Sequence, residues 1–232
     1  MVTLMSVNAL NLYGSDTAAE QQRFAGLEAL IRARNPDVIA VQEIISTGEA
    51  EAAAAQRPIP TTQDKTPGAI AGLRRLAEAV GRDWSVAGEP AVAVGGIIHH
   101  TGLLWRDGIE AVPGTLHPLT RDGAGMWHCA IAAVFDFGGP KARIGSVQLS
   151  PFDQTWARMD TSQLLRVFNR DDTRYLFRGP GTGPTVARPG MTSCPCCFHD
   201  PGGGVAGPWW RRWTADGDRA DGRSLRNVGA GR

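Results

Sequence analysis

A strand, a helix and a second strand at the N-terminus constrain this chain more than any other feature. The apolar run Thr3-Leu4-Met5-Ser6-Val7 ends in Asn8, and the run Val38-Ile39-Ala40-Val41 ends in Gln42-Glu43. Between them, residues 20–34 carry Phe24, Leu27, Leu30 and Ile31 on one helical face. Asn35-Pro36 stops that helix, because a proline pushes the residue before it out of helical backbone. Two strands joined in this way can end at one edge of a sheet, which brings an amide and a carboxylate together. Oxygen donors of this kind suit a hard divalent cation.

The remaining pattern alternates between the two periodicities. A polar, Ala- and Pro-rich loop is expected over 46–67 and a helix over 69–80, with Leu73, Leu76 and Val80 on one face. Strands are expected near 84–86, 101–105, 109–112, 126–135 and 142–149, and a helix over 154–168 through Met159, Leu164, Leu165 and Phe168. Helices interleaved with strands, with hairpin-like pairs in the middle, predict an α/β layered fold with a mixed sheet.

The 232 residues are enough for one substantial core and one domain. A formal net charge of +1 gives no electrostatic reason to expect nucleic acid or acidic partners. No basic segment followed by a long apolar core opens the chain, and no apolar run reaches the ~18 residues of a spanning helix. The expectation is a soluble cytoplasmic protein without a membrane span, and the sequence does not set its oligomeric state.

Near Asp171 the composition changes. The chain divides into a globular domain over 1–175 and a Gly/Pro/Arg-rich tail over 176–232, read as poorly ordered. Gly179-Pro180-Gly181-Thr182-Gly183-Pro184 favours neither helix nor strand, and such a composition buries too little apolar surface to offset its ordering entropy. Cys194-Pro195-Cys196-Cys197-Phe198-His199 is a single cluster where zinc modules usually pair two, so it is read as compositional. Trp209-Trp210-Arg211-Arg212-Trp213 is read as part of the same tail, with nucleic-acid binding by stacking and charge as the competing reading.

Met5-Ser6-Val7-Asn8-Ala9-Leu10, followed by Pro36-Asp37-Val38-Ile39-Ala40-Val41-Gln42-Glu43, resembles the endonuclease/exonuclease/phosphatase superfamily of deoxyribonuclease-I-like enzymes. Thr101-Gly102-Leu103-Leu104-Trp105-Arg106 resembles its mid-chain strand. The stretch from Gly145 through Gln148 to Phe152, followed by Arg158, resembles its later strand and helix. The resemblance covers roughly 1–175. It implies a four-layer α/β sandwich of two packed mixed sheets flanked by helices, incomplete at the C-terminus. It implies a metal-dependent phosphoester hydrolase of nuclease or phosphatase type. Glu43 and Asn8 would hold Mg2+, with Mn2+ as a substitute, and water would attack a phosphoester, nucleic acid included. Asn8 and Gln148 are the catalytic candidates, and His100 and Asn11 the substrate-binding ones. Asn11 either lines the edge or serves a turn with Gly14. Adjacent strand residues face opposite ways, so at most one of His99 and His100 faces the substrate, and a partly exposed structural role competes for His100. His128, inside an apolar run, reads as a satisfied core residue, and Arg158 as structural. The competing function is a non-catalytic protein that binds phosphate ligands or nucleic acid.

Three departures from the family pattern imply weak or absent turnover. Gln148 stands where the family carries a phosphate-contacting His, and an amide cannot carry the charge of an imidazolium. The segment Phe177-Arg178-Gly179-Pro180-Gly181-Thr182-Gly183 lacks the family's Gly-Asp-x-Asn turn. His199-Asp200 reverses its closing Asp-His pair. A reading-frame slip between Tyr175 and Gly181 would account for the last two, since codons for Pro180-Gly181-Thr182-Gly183-Pro184-Thr185 can be chosen so that another frame reads Gly-Asp-Trp-Pro-Asn. Sequencing the gene across codons 170–185 and translating its other frames is expected to recover that turn and an Asp-His ending. If neither frame contains them, the slip is excluded.

Overall fold

The computed structural model describes residues 2–45, 55, 62–96, 98–139, 141–150, 154–168, 174–178 and 209–213. Strand β1 (Val2–Leu12), helix α1 (Ala18–Arg34) and strand β2 (Val38–Ile44) form the N-terminal unit, with β1 and β2 parallel. The side chain of Thr17 accepts the N–H of Glu20 at 3.4 Å and starts α1. Asn35, in left-handed backbone at φ 44°, ends it by donating its N–H to the Ile31 carbonyl.

Helix α2 (Thr62–Val80) begins at Thr62 rather than at residue 69 and carries Pro67 inside it. The proline removes one backbone hydrogen bond. The buried face of Ala69, Leu73, Leu76 and Ala77 holds the helix against the sheet regardless. A short hairpin of β3 (Ser85–Val86) and β4 (Glu89–Pro90) follows, then β5 (Val92–Ala93), β6 (His100–Trp105), β7 (Glu110–Ala111), β8 (His117–Leu119) and α3 (Arg121–Ala124). The long strands β9 (Cys129–Asp136) and β10 (Ala142–Gln148) precede α4 (Gln154–Phe168), β11 (Arg174–Arg178) and β12 (Trp209–Trp213).

The first sheet has the order β12-β1-β2-β6-β5 and the second β11-β10-β9-β7, with β8 also on β9. Both are mixed, since β1–β2 and β10–β11 are parallel and the other named pairs antiparallel. Period-2 alternation sends successive residues of β2 to opposite faces. Ile39 and Val41 join Phe24, Ile31, Leu73 and Leu76 in a core between the first sheet and helices α1 and α2. Val38 and Ala40 turn the other way and meet Leu103, Trp105, Ile131, Phe135 and Ile144 between the sheets. A third cluster, with Ala130, Ala132, Val147, Leu164 and Phe168, packs the second sheet on α4. The result is the four-layer sandwich, helices–sheet–sheet–helix. Two glycines set its spacing. A Cβ on Gly102 would lie 2.5 Å from Leu73 Cδ1, and one on Gly145 would lie 2.8 Å from Phe168 Cζ.

Polar contacts stitch the layers. Gln42, fully buried, donates its amide to Ser146 Oγ at 3.0 Å, and Ser146 donates to the Val41 carbonyl at 2.9 Å, so the two sheets share a satisfied polar link. At the opposite end of the strands, Asp37 accepts the Thr3 N–H at 2.6 Å and pairs with Arg106 at 2.6 Å.

Among the described residues the tail differs from its reading at two places, the first being residues 176–178, which belong to β11 and pair with β10. Trp209–Trp213 forms β12, antiparallel to β1 with Val2 opposite Trp213 and Ser6 opposite Trp209. An uncovered β1 would present a row of unpaired backbone groups, and tryptophan favours strands. That partner lies some two hundred residues away in sequence, beyond the reach of local pattern. The Cys194–His199 cluster and the stretch 179–208 lie outside the described residues. Among the described residues Cys129 is buried and in no disulfide, and its Sγ donates to the Ala93 carbonyl at 3.1 Å. Among the described residues no helix is long and apolar enough to cross a membrane.

Candidate active site at the strand ends

The site is built by bulges. The β1–β2 ladder loses register between Asn8 and Leu12, and the β2–β6 ladder between Val41 and Ile44. Both irregularities flank Glu43, which sits at φ 59°, and Leu10 and Asn11 across from it sit at φ 47° and 58°. Bulges of this kind re-aim side chains next to active sites. Arg23 of α1 holds the β1 bulge by donating to the carbonyls of Ala9 at 2.7 Å and Leu10 at 2.6 Å, while ion-pairing with Glu20. Composition and periodicity give no sign of that role.

The bulges bring Asn8 and Glu43 together. Asn8 donates from Nδ2 to Glu43 Oε1 at 2.8 Å, and its Oδ1 accepts the Leu10 N–H at 3.0 Å, which locks the amide in that orientation. From the other sheet, Gln148 donates from Nε2 to the same Oε1 at 3.4 Å. Gln148 is 8% exposed, and its Oε1 is buried without a hydrogen-bond partner. Three of the predicted site residues therefore meet around one carboxylate, and both amides approach it through Oε1.

The histidines fall differently from expectation. His100, read as a substrate contact, is fully buried, and its Nδ1 accepts the Gly95 N–H at 3.0 Å. Buried Lys65 donates to the carbonyl of the same glycine at 2.9 Å. The residue that reaches the edge is His99, half-buried at φ 68°, with Nε2 2.8 Å from Asn11 Oδ1. His99 precedes β6 in left-handed backbone, and its ring lies against Asn11 while His100 is buried. Asn11 meets His99 through its side chain, and its carbonyl closes a turn with Gly14 at 2.9 Å. His128 is buried as expected but not satisfied, because Nδ1 has no partner. Its ring centroid lies 6.0 Å from that of His99. Just beyond Gln148, buried Asp160 of α4 accepts the N–H of Ser150 at 2.8 Å and of Trp127 at 3.3 Å. Burial raises its pKa, and these two backbone hydrogen bonds oppose the shift. Asp160 thus anchors the segments that follow β10 and precede β9.

These donors fit one small, hard cation. Among the described residues no cluster of three acidic, His or Cys side chains is present. Magnesium does not require one. It keeps several waters and takes one or two carboxylates together with substrate phosphate oxygens. Glu43 could supply the carboxylate, and Gln148, whose Nε2 meets Glu43, keeps a buried Oε1 without a partner.

Residues 6–228 match the model of a family described as the Endonuclease/Exonuclease/phosphatase family. Among solved structures, the chain is similar to mannosyl-6-phosphatase Bt3783 of Bacteroides thetaiotaomicron VPI-5482, at 14% identity and a TM-score of 0.51, over 77% of this chain and 64% of that one. It is similar to a functionally unknown conserved protein of Enterococcus faecalis V583 at 12% identity and a TM-score of 0.50, over 77% and 66%. It is also similar to D. rerio TDP2 complexed with a single strand DNA product, at 20% identity and a TM-score of 0.46, over 77% and 59%. At such identities the first two likenesses show a shared fold. The chain spans between 59% and 66% of the length of these three solved chains. No curated protein matches it by sequence.

The buried imidazole behind the edge makes folding pH-dependent. Burial, then the neighbouring His99 and His100, lowers the pKa of His128 from 6.5 to about 4. Below pH 6.5 the unfolded chain binds a proton that the folded chain refuses until about pH 4, so stability falls across that window and levels off beneath it. Urea unfolding at pH 7 and pH 5 should show a loss of about 2 kcal/mol that His128→Asn removes. The same pH slope in both proteins would contradict this. Asp160 acts in the opposite sense and is common to both, so it cancels in the comparison.

Proposed function

The chain belongs to the endonuclease/exonuclease/phosphatase family, and on that premise we propose that it hydrolyses a phosphoester at the edge where Asn8, Glu43 and Gln148 converge. The observation that carries the reading is the 2.8 Å contact between the Asn8 amide and the Glu43 carboxylate at paired bulges. A carboxylate that is half-buried and held by two amides is poised for a ligand rather than for an ion pair within the protein.

Glu43 would hold a magnesium ion, with manganese able to replace it. When bound, the ion supplies Lewis acidity, polarising a phosphate oxygen and stabilising the leaving oxyanion. The protein's own residues orient the carboxylate. Asn8 and Gln148 both hydrogen-bond Oε1, which restrains rotation of the carboxylate plane and leaves its second oxygen for the cation. Gln148 stands at the end of β10, where a side chain can reach a bound phosphate across the mouth of the sandwich. As a neutral amide it donates a hydrogen bond but no charge, and the segment 177–183 offers no Asp to take a proton from water. General base catalysis contributes roughly 10²–10⁴-fold, so turnover is slow. The substrate is a phosphate monoester or diester, nucleic acid among the diesters.

With bis(p-nitrophenyl) phosphate and Mg2+, the purified chain should turn over slowly. Glu43→Ala should lower the rate at least about a hundredfold, and Gln148→His should raise it about tenfold or more by restoring a cationic donor. Turnover indifferent to both EDTA and Glu43→Ala would refute the reading. Phosphate binding without turnover in any variant would mark a non-catalytic ligand-binding protein instead.

A further inference from the structure

Two side-chain pairs span the sheets at the end of the sandwich where the strands bulge. One is Glu43 with Gln148. The other is His99 with His128, whose ring centroids are 6.0 Å apart with planes inclined at 30°. The strand register places both at the same mouth. His99 precedes His100, which is paired with Ile44, the neighbour of Glu43. His128 precedes Cys129, which is paired with Gln148 itself. We propose that His99, with His128 behind it, is the imidazole pair that holds the phosphoryl oxygens of the substrate, in the place that the neutral Gln148 leaves without a charged donor. This rests on the reading of the edge as a phosphoester site.

Three observations carry it. His99 is a non-glycine residue at φ 68°, a conformation that persists only where the surroundings hold it and that gathers at ligand sites. Its ring is aimed by Asn11, itself at φ 58°, through the 2.8 Å contact between Nε2 and Oδ1. The amide oxygen of Asn11 can only accept, so Nε2 carries a proton. His128, 6% exposed, keeps a buried Nδ1 with no protein partner. An orphaned buried nitrogen calls for an explanation, and an oxyanion arriving from the mouth supplies one. Because burial keeps this imidazole neutral, a proton on Nδ1 would make it a donor to a phosphate oxygen without a fixed charge being buried. His99 brings a second imidazole to the same mouth.

The test is a titration of the full chain with inorganic phosphate, in the absence of magnesium, followed through the ring C–H resonances of its five histidines. Resonances are assigned with His99→Gln and His128→Asn. Phosphate should shift His99 and His128 and leave His117 unmoved. His99→Ala should weaken phosphate binding about tenfold or more, the scale of a lost charge-assisted hydrogen bond. It should also lower kcat/KM on bis(p-nitrophenyl) phosphate by a similar factor, and His99→Gln should fall between it and the wild type. His99 is half-buried, and an unchanged urea midpoint for His99→Ala assigns the loss to binding rather than folding. Unresponsive rings, or phosphate binding by His99→Ala equal to wild type, would overturn the inference. If Glu43→Ala still abolishes turnover in that case, the phosphoester reading stands without it. If Glu43→Ala is also silent, that reading fails as well.

Discussion

Everything at the proposed site depends on Glu43 sitting where two ladders lose register at once. In a regular strand its side chain would follow the period-2 alternation set by Val41. Left-handed backbone at φ 59° breaks that alternation and presents the carboxylate to Asn8. A non-glycine residue held in such a conformation costs on the order of 1–3 kcal/mol. The fold offsets that cost locally. Arg23 reaches from α1 to hold the carbonyls of Ala9 and Leu10, and the Asn11–Gly14 turn leads the chain away from the edge. The helix that follows β1 in sequence thus also shapes β1's end.

The layers behind the edge explain how so few polar side chains stay in place. Each long strand is packed on both faces, and the buried polar groups that cross between layers are paired. Gln42 and Ser146 join the sheets one residue behind Glu43, and Asp37 ties Thr3 to Arg106 at the far end. Trp105 meets Phe135 edge-on at 5.4 Å in the same intersheet core, a contact worth about 0.5–1.5 kcal/mol beyond its area burial. A strand pinned at both ends has little freedom to carry its terminal side chains out of position, and two of the buried side-chain atoms left without a partner among the described residues, Gln148 Oε1 and His128 Nδ1, lie at the mouth.

The scaffold was legible where local pattern and tertiary structure agree. Apolar runs ending in Asn8 and Glu43, the helix between them and the helix over 154–168 follow from periodicity and from Asn35-Pro36. The meeting of Asn8, Glu43 and Gln148 was legible through family resemblance, since nothing local says that β10 ends opposite β2. What could not be read depends on distant partners. Whether His99 or His100 faces outward turns on a bulge in β2, which has no composition of its own. Arg23 looks like any surface arginine on a helix. Pro67 argues against the helix that contains it until the packed face of α2 is seen, and β12 exists because β1 has an edge to cover.

The central claim is that Glu43, oriented by two amides, is one side of a cation site. Electron paramagnetic resonance of Mn2+ titrated into the wild-type chain and into Glu43→Gln tests it most directly, because that substitution keeps the shape and a partner for Asn8 while removing the charge. The account predicts one saturable site in the wild type, weakened tenfold or more in the variant, roughly the scale of one lost charged ligand. Equal manganese binding by the two proteins, or none by either, would contradict it.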